Sequence, residues 1–420
     1  MKLYTEQYLI NYARKYSPYY RDLYKDLPKD LISIKQTPVV KQDEFWAANT
    51  HDENNRVLTG TIENGIAFKS GGSTNAPKFS IFGKEEYITF CEASGLALLY
   101  NGAQTGDRFA NLFYGGQLYA SFLYVHDLIR MCPVCLTEYP IMGSTSVEEM
   151  VHIILQHHTN ALTGVPTTII KLFEYVKNNN IDLSFVEKIY FGGESFFNDQ
   201  RDFIHSINPH VQIRSIAYAL VDGGISGYCD NTCGFNEHRD FNFVSILEIV
   251  DEYSGEVINE PNRSGNLVIT SLYRLLQPMI RYPLGDKGMW IEPEGSPNRK
   301  FLLQGRSQEC ARIGPVSLYY DDMRPVMQAV PNVHVLNYQF IISHKDGKDK
   351  LTVRAATDET DLATQHVQAY RSALHNARPF FIEETEKGHI HETDFEFTTP
   401  ESLQYNLRTG KIKRIIDERL

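Results

Sequence analysis

The sequence predicts a large α/β N-terminal domain with mixed sheets and flanking helices, followed by a small α+β C-terminal domain. Three observations carry this expectation. The chain has 420 residues, more than the roughly 250 to 300 that a single hydrophobic core usually spans. Between residues 62 and 207, short apolar runs alternate with glycine-bearing loops and helix-period runs, which is the alternation of βαβ packing. After Gly305 the pattern changes to a hairpin and one amphipathic helix. The expected domains are therefore residues 1–304 and residues 305–420.

The elements follow in order. The first sixty residues are rich in tyrosine and lysine, and Pro28 and Pro38 interrupt any long helix, so short helices lying across a core are expected. Residues 62–82 are extended and glycine-bearing, and residues 85–100, with Leu96, Leu98 and Leu99, suit a helix. Ser146 and Glu149 form an S-x-x-E capping box ahead of MVHIIL. Residues 185–191 read as a strand ending in Gly192-Gly193, and residues 197–207 as the helix after it. Residues 211–218, 241–250 and 265–272 are strand-like, the last two joined through a turn-prone stretch. In the small domain, residues 335–343 and 351–356 flank the turn KDGKD, and residues 361–377 place Ala363, Val367, Tyr370 and Leu374 on one helical face.

Composition narrows the function. With 42% hydrophobic and 22% charged residues the chain is globular. A net charge of -11 gives no general attraction to a phosphate backbone, so a nucleic-acid partner is not expected. No apolar stretch approaches the roughly 20 residues that cross a bilayer, no secretory signal is visible, and six cysteines are too few for a disulfide framework. The expectation is a cytoplasmic protein with reduced thiols and no membrane partner.

Two segments suggest chemistry. Ser70, Gly71, Gly72, Ser73, Thr74, Asn75, Ala76, Pro77 and Lys78 form a loop of hydroxyls and glycines closed by a lysine, suited to cradling phosphate oxygens. It is not a Walker A loop, because Pro77 and Phe79 stand where that motif needs Gly and Ser or Thr. Near the end of the chain, Thr409 and Gly410 present Lys411 on a turn, followed by Ile412, Lys413 and Arg414. Taken alone, a flexible turn and a solvated basic tail would read the same way.

Taken together, these segments resemble the adenylate-forming superfamily of acyl-CoA synthetases, adenylation domains and luciferases. The loop at residues 70–78 is similar to that family's phosphate loop, with Asn75 where a glycine is usual. Gly192-Gly193-Glu194 resembles the glycine pair bordering the adenine site, in the form typical of phenylacetate-CoA ligases. Tyr218-Ala219-Leu220-Val221-Asp222 stands where the family carries an aromatic that packs on adenine and an acid that holds magnesium. Residues 281–286 (RYPLGD) resemble the element whose aspartate, here Asp286, binds the ribose hydroxyls. Gly305-Arg306 resembles the hinge, and residues 409–414 the terminal element with its catalytic lysine, here Lys411. The length is most similar to the phenylacetate-CoA ligase branch, and NLFYGGQLYASFLY at residues 111–124 is also similar to the adenylating enzyme of phenazine antibiotic biosynthesis.

The resemblance implies an ATP- and Mg²⁺-dependent ligase. It would turn a carboxylic acid, expected to be aromatic, into an acyl-adenylate and pass the acyl group on, first to CoA. An amine or a carrier-protein thiol is the alternative acceptor. A non-catalytic nucleotide- or metabolite-binding relative is the alternative of another class, motivated by Ala219 and Val221 in place of a glycine and a hydroxyl and by a hinge without paired acids. The implied nucleotide residues are Ser70, Gly71, Gly72, Ser73, Thr74, Lys78, Gly193, Glu194, Tyr218, Asp222, Asp286 and Arg306, with Asp222 also holding magnesium. Tyr114, Tyr119 and Phe122 are candidates for the acid pocket. Cys229, Cys233 and His238 lie where some relatives hold structural zinc, but Leu303-Gln304 replaces those relatives' further pair of cysteines. Reduced thiols in or near a core are the expectation there. His126, His157 and His158 are expected to be surface or helix residues.

Overall fold

The computed structural model describes residues 1–50, 53–69, 78–193, 196, 198–306, 310–333, 335, 337–357, 359–399, 402–404 and 413–419, apart from the side chains of residues 167, 199, 305, 306, 310, 319 and 321. The chain divides into two compact units, the first running to Gly305 and the second beginning at Arg306.

The first unit is layered. A five-stranded sheet is parallel throughout, in the order Thr137–Pro140, Arg108–Asn111, Ala161–Gly164, Lys188–Phe191, Gln212–Ser215. Helices Val147–His157 and Pro166–Asn178 cover one face through Met150, Ile154, Ile169 and Phe173. Helix Ser121–Arg130 packs on the opposite side through Val125, Leu128 and Ile129, beside Phe109, Phe113 and Tyr190. Only one half of the Ser146 capping box forms, the Glu149 N–H donating to Ser146 Oγ at 3.3 Å. The crossovers reverse direction at Arg108–Asn111: the chain leaves it to one side and returns on the other, which makes the carboxyl ends of Arg108–Asn111 and Ala161–Gly164 the switch point of the sheet.

The second sheet has seven strands in the order Ser245–Val250, Ser264–Ser271, Tyr282–Trp290, Lys300–Arg306, Glu237–Asp240, Gly224–Tyr228, Tyr218–Leu220. Gly224–Tyr228 also lies against Ser245–Val250 and Ser264–Ser271, so the sheet curls back on itself. The N-terminal helices cover it. Leu9, Ile10 and Ala13 of Glu6–Tyr16, Tyr20 of Pro18–Leu23 and Phe45 of Gln42–Ala48 share one core with Leu247, Ile249, Ile269, Tyr282 and Phe301. Helix Lys84–Tyr100 is apolar nearly all round because it serves both sheets. Phe90, Ala93 and Ala97 pack with Ile225, Phe241 and Tyr273, while Leu98 packs with Phe109 and Tyr190. It follows strands Gly65–Lys69 and Phe79–Gly83, which pair antiparallel on either side of the glycine-rich loop.

The second unit is built on a four-stranded sheet in the order Asp394–Thr398, Lys348–Ala356, Asn337–Lys345, Ile415–Asp417. Its hairpin pairs Lys345 with Lys348 across Asp346 and Gly347, at φ 49° and 74°, the left-handed pair that a two-residue turn of this twist requires. The helix expected over residues 361–377 is split into Thr360–Gln365 and Val367–Ala377. His366 leaves the helical region at φ -107°, ψ 19°, and its Nδ1 is 2.9 Å from the Leu362 carbonyl oxygen. Ala363, Tyr370 and Leu374 are nonetheless buried together, with Val367 half-buried beside them.

Arg281 anchors the curled sheet. Its φ is 47°, its Nε donates to Glu248 Oε2 at 2.9 Å, its Nη1 donates to the Thr37 carbonyl at 2.6 Å, and both side chains are buried. Deleting one partner of such a pair strands the other charge in the core. Glu248→Gln is expected to lower unfolding stability by about 3 kcal/mol, while an apolar replacement of both residues costs much less. Urea denaturation of the single and double variants checks this; an unchanged single variant would show that the pair is dispensable.

Candidate active site

Two Tyr-x-x-x-Asp segments meet at the mouth of the curled sheet. Tyr218 and Asp222 flank the tip of the hairpin formed by Tyr218–Leu220 and Gly224–Tyr228. Tyr282 and Asp286 lie four residues apart on strand Tyr282–Trp290. Each tyrosine serves the other segment's acid. Tyr218 Oη donates to Asp286 Oδ2 at 2.8 Å, and Tyr282 Oη donates to Asp222 Oδ2 at 2.9 Å. The bridges tie the edge strand to a strand that is not its sheet neighbour and fix one oxygen of each carboxylate.

The hairpin tip is shaped by glycine. Gly224 has φ 84°, and a Cβ there would fall 2.1 Å from Tyr273 Oη, so no side chain fits. Ala219 and Val221, the departures noted in the sequence, pack half-buried against the cluster of Phe68, Phe82 and Tyr273. They face away from Tyr218, whose ring is 8% exposed and packs against Phe301 at 5.7 Å and His238 at 5.8 Å between centroids.

Tyr282 is itself held from the N-terminal helices, a contribution that the sequence reading of the first sixty residues did not contain. Trp46 Nε1 donates to Tyr282 Oη at 2.8 Å and Gln42 Nε2 donates at 3.0 Å. With two donors pointing in, the hydroxyl directs its own proton to Asp222, and burial raises its pKa well above the ordinary value. Lys78 stands with its Nζ 5.7 Å from the Trp46 ring centroid, which brings the lysine of the glycine-rich loop beside the Trp46–Tyr282–Asp222 chain. Ser70, Gly71, Gly72, Ser73, Thr74, Glu194 and Lys411 lie outside the described residues, as does the side chain of Arg306.

Strand Lys188–Phe191 ends in Gly192 and Gly193, and Gly193 has φ 81°, a left-handed position that favours glycine. At the switch point, Tyr114 Oη and Thr168 Oγ1 are 3.1 Å apart, joining the loop after Arg108–Asn111 to the first turn of Pro166–Asn178. Phe122 N–H donates to the Tyr114 carbonyl at 2.9 Å, which closes the loop between these two residues. Tyr119 closes a separate turn on Gly116. Tyr124 of the same stretch is a core residue, stacked on Phe90 and bonded to Ser94 Oγ.

Magnesium can be tested against the donor set. Asp222 is 8% exposed, accepts from Tyr282 and from the Gly223 N–H, and makes no ion pair among the described residues. A buried, singly bridged carboxylate of this kind fits a magnesium ion that keeps most of its shell for water and phosphate. The other cluster, Cys229, Cys233 and His238, is not gathered into a set of three metal ligands among the described residues, although the two thiols are hydrogen-bonded to each other. His238 Nε2 lies 3.0 Å from Ser215 Oγ, while Cys229 Sγ reaches the Glu237 carbonyl and Cys233 Sγ reaches Asp230 Oδ1, and no three such ligands converge among the described residues. The three expected surface histidines are all committed locally: His126 Nδ1 is 2.6 Å from Glu138 Oε2, His157 stacks on Tyr139, and His158 caps its helix at φ 48°.

Comparison with known proteins places this architecture. No family model matches the chain. It covers 98% of its length on the structure of 2-hydroxyisobutyryl-CoA ligase in complex with 2-HIB-AMP and CoA, with a TM-score of 0.74 at 16% identity over 87% of that chain. The chain has the fold of the adenylate-forming ligases. The same fold aligns with the amide bond synthetase McbA from Marinactinospora thermotolerans at a TM-score of 0.54 and 13% identity, over 87% of this chain and 69% of that one. By sequence, phenylacetate-coenzyme A ligase of Aromatoleum evansii is 22% identical over 363 residues, 83% of this chain and 78% of the relative. Indoleacetate–lysine synthetase of Pseudomonas savastanoi is 28% identical over 231 residues, 53% of this chain, so the match spans 52% of the synthetase. No helix of the described residues is long and apolar enough to cross a membrane.

Two titratable groups in this ligase fold, Asp240 and His238, are buried, which the sequence did not show. Asp240 lies in register with Gly227, which pairs with Tyr218, and Asp240 Oδ1 has no hydrogen-bond partner among the described residues. Burial pushes its carboxyl from 3.8 up to about 8 and pushes the His238 imidazole from 6.5 down to about 4. Asp240 keeps in the folded state a proton that the unfolded chain releases, so its contribution is lost as pH rises toward 8. His238 refuses a proton that the unfolded chain accepts below 6.5, so its contribution is lost as pH falls toward 4. The two slopes oppose each other between 4 and 6.5, and Asp240 acts alone above. Stability is expected to drop by about 2 kcal/mol between pH 6.5 and 8, and Asp240→Asn to remove the drop. Urea midpoints at the two pH values decide the matter; equal slopes in both proteins would rule the assignment out.

Proposed function

We propose that the chain activates a carboxylic acid with ATP, forming an acyl-adenylate and pyrophosphate, and then transfers the acyl group to an acceptor. The observation that carries this reading is the pair of reciprocal tyrosine–aspartate bridges. They fasten Asp286 to Tyr218 and Asp222 to Tyr282, with Lys78 near the ring of Trp46, which donates to the same Tyr282; Tyr218, Asp222, Asp286 and Lys78 are residues that the family resemblance had assigned to one nucleotide. The likeness of the whole chain to ligases whose structures contain an acyl-AMP supports it.

In this reading the carboxylate oxygen of the acid attacks the α-phosphorus of ATP and the bond to the β-phosphate oxygen breaks, so pyrophosphate leaves. The protein's work is alignment and charge stabilisation. The loop containing Ser70, Gly71, Gly72, Ser73, Thr74 and Lys78 would hold the outer phosphates, Gly193 and Glu194 would border the adenine beside Tyr218, and Asp286 would accept from the ribose hydroxyls. Lys411 would bridge the acid's carboxylate and the α-phosphate, carried by a mobile unit that turns about Arg306. Asp222 would hold Mg²⁺, which supplies charge neutralisation on the phosphates when bound.

Tyr114 and Phe122, at the switch point where open α/β sheets bind ligands, would contact the acid, which we take to be aromatic. CoA is the first acceptor in this reading. An amine is the second, and the favouring observation is the 28% identity to a synthetase named for joining indoleacetate to lysine.

Acid-dependent pyrophosphate release, with hydroxylamine as surrogate acceptor and a panel of aryl, fatty and amino acids, tests the proposal. Aryl acids are expected to give the signal. Lys411→Ala is expected to lower kcat by about 10² or more, and Asp286→Ala to act chiefly through KM for ATP. ATP binding without turnover of any acid would instead favour a non-catalytic binding protein.

A further inference from the structure

Arg274 is the largest fully buried side chain of the described residues, with 0% exposure, and among those residues it has no acidic ion-pair partner. Burying a guanidinium is costly unless its donors are met, so the acceptors it does have identify its task. Nη1 donates to Ser80 Oγ at 3.2 Å and to the backbone carbonyl of Asp222. Nη2 donates to the Ile81 carbonyl at 2.8 Å and to Gln277 Oε1 at 2.9 Å. The planar group lies 3.9 Å from the centroid of the Phe82 ring.

The surrounding turn repeats the pattern. Gln277 Oε1 accepts from the Ile81 N–H at 2.7 Å, and Gln277 Nε2 donates to the Phe79 carbonyl at 3.2 Å. Glu86 Oε1 accepts from the N–H groups of Leu275 and Leu276 at 2.6 and 2.7 Å, while its Oε2 accepts from Gly83 N–H at 2.8 Å. Every residue of strand Phe79–Gly83, the strand leaving the glycine-rich loop, is thus bonded to or packed on the turn at residues 274–277 or the acid that pins that turn. The same guanidinium reaches the main chain of the proposed magnesium residue.

We infer that Arg274 is a positioning residue that locks the exit strand of the phosphate loop to the backbone of Asp222, fixing the spacing between the two phosphate-binding elements. The choice of acceptor on Asp222 is informative. A guanidinium bound to the carboxylate would neutralise it and compete with a cation. Bound to the carbonyl of the same residue, Arg274 fixes the hairpin tip and leaves both carboxylate oxygens to Tyr282, Gly223 and a metal ion. The inference rests on the function proposed above.

The test is MgATP binding by calorimetry to the full chain and to Arg274→Lys and Arg274→Met, together with amide hydrogen exchange and thermal melts. Folded variants are expected to bind MgATP about tenfold more weakly, with a smaller loss for ATP in EDTA and faster exchange confined to residues 79–83 and 222–224. Should Arg274→Met not fold, Arg274→Lys and Gln277→Met, which remove only part of the clamp, carry the same expectation. A folded variant that binds MgATP as the wild type does overturns the positioning role and leaves the proposed function standing. Wild-type protein that fails to bind MgATP overturns both.

Discussion

The reciprocal hydrogen bonds between Tyr218 and Asp286 and between Tyr282 and Asp222 are the constraint on which the large unit's candidate site depends. A seven-stranded antiparallel sheet has two free edges and a twist, and twist alone does not determine where the last hairpin ends up. Here the edge hairpin is fastened across the curl to a strand from the middle of the order. Because the hydroxyls are donors and the acids acceptors, the bridges set the orientation of both carboxylates along with the curvature.

Around this seam the molecule spends conformational strain and buried charge. Arg281 adopts a positive φ beside its partner Glu248, and Arg274 is enclosed with no acidic ion-pair partner among the described residues. Each is unfavourable in isolation. Both lie on segments that converge on Asp222, Tyr282 and the strand leaving the glycine-rich loop. A core made only of leucine and valine would be more economical, but it would not fix hydrogen-bond directions at the rim.

Much of the fold was legible in the sequence because its signals are local. The strand at residues 188–191 is a short apolar run punctuated by Gly192-Gly193, and the second unit's hairpin is announced by Asp346-Gly347. The candidate site was legible only in part. Tyr218, Asp222 and Asp286 could be assigned through resemblance, but the partner of each lies 60 or more residues away in sequence. The two Tyr-x-x-x-Asp spacings were present to be read, yet nothing local says that they pair crosswise. Trp46 and Gln42 sit in a helical region whose sequence looks like ordinary packing, and nothing local says that the His238 Nε2 lies against Ser215. Side-chain direction is set by tertiary context, which a linear pattern does not contain. The break at His366 escaped for the opposite reason: the apolar stripe continues smoothly across it, so periodicity alone gave one helix.

The position of Trp46 gives the chain an optical property. It has two tryptophans. Trp290 is 5% exposed, with the guanidinium of Arg299 4.6 Å from its ring centroid, in surroundings set by the core. Trp46 is half-buried, with its indole N–H committed to the hydroxyl that contacts Asp222 and an ammonium near its ring. Any rearrangement of charge around Asp222 or Lys78 therefore reaches the Trp46 indole through one hydroxyl and one ammonium, so the protein contains its own fluorophore beside the candidate site.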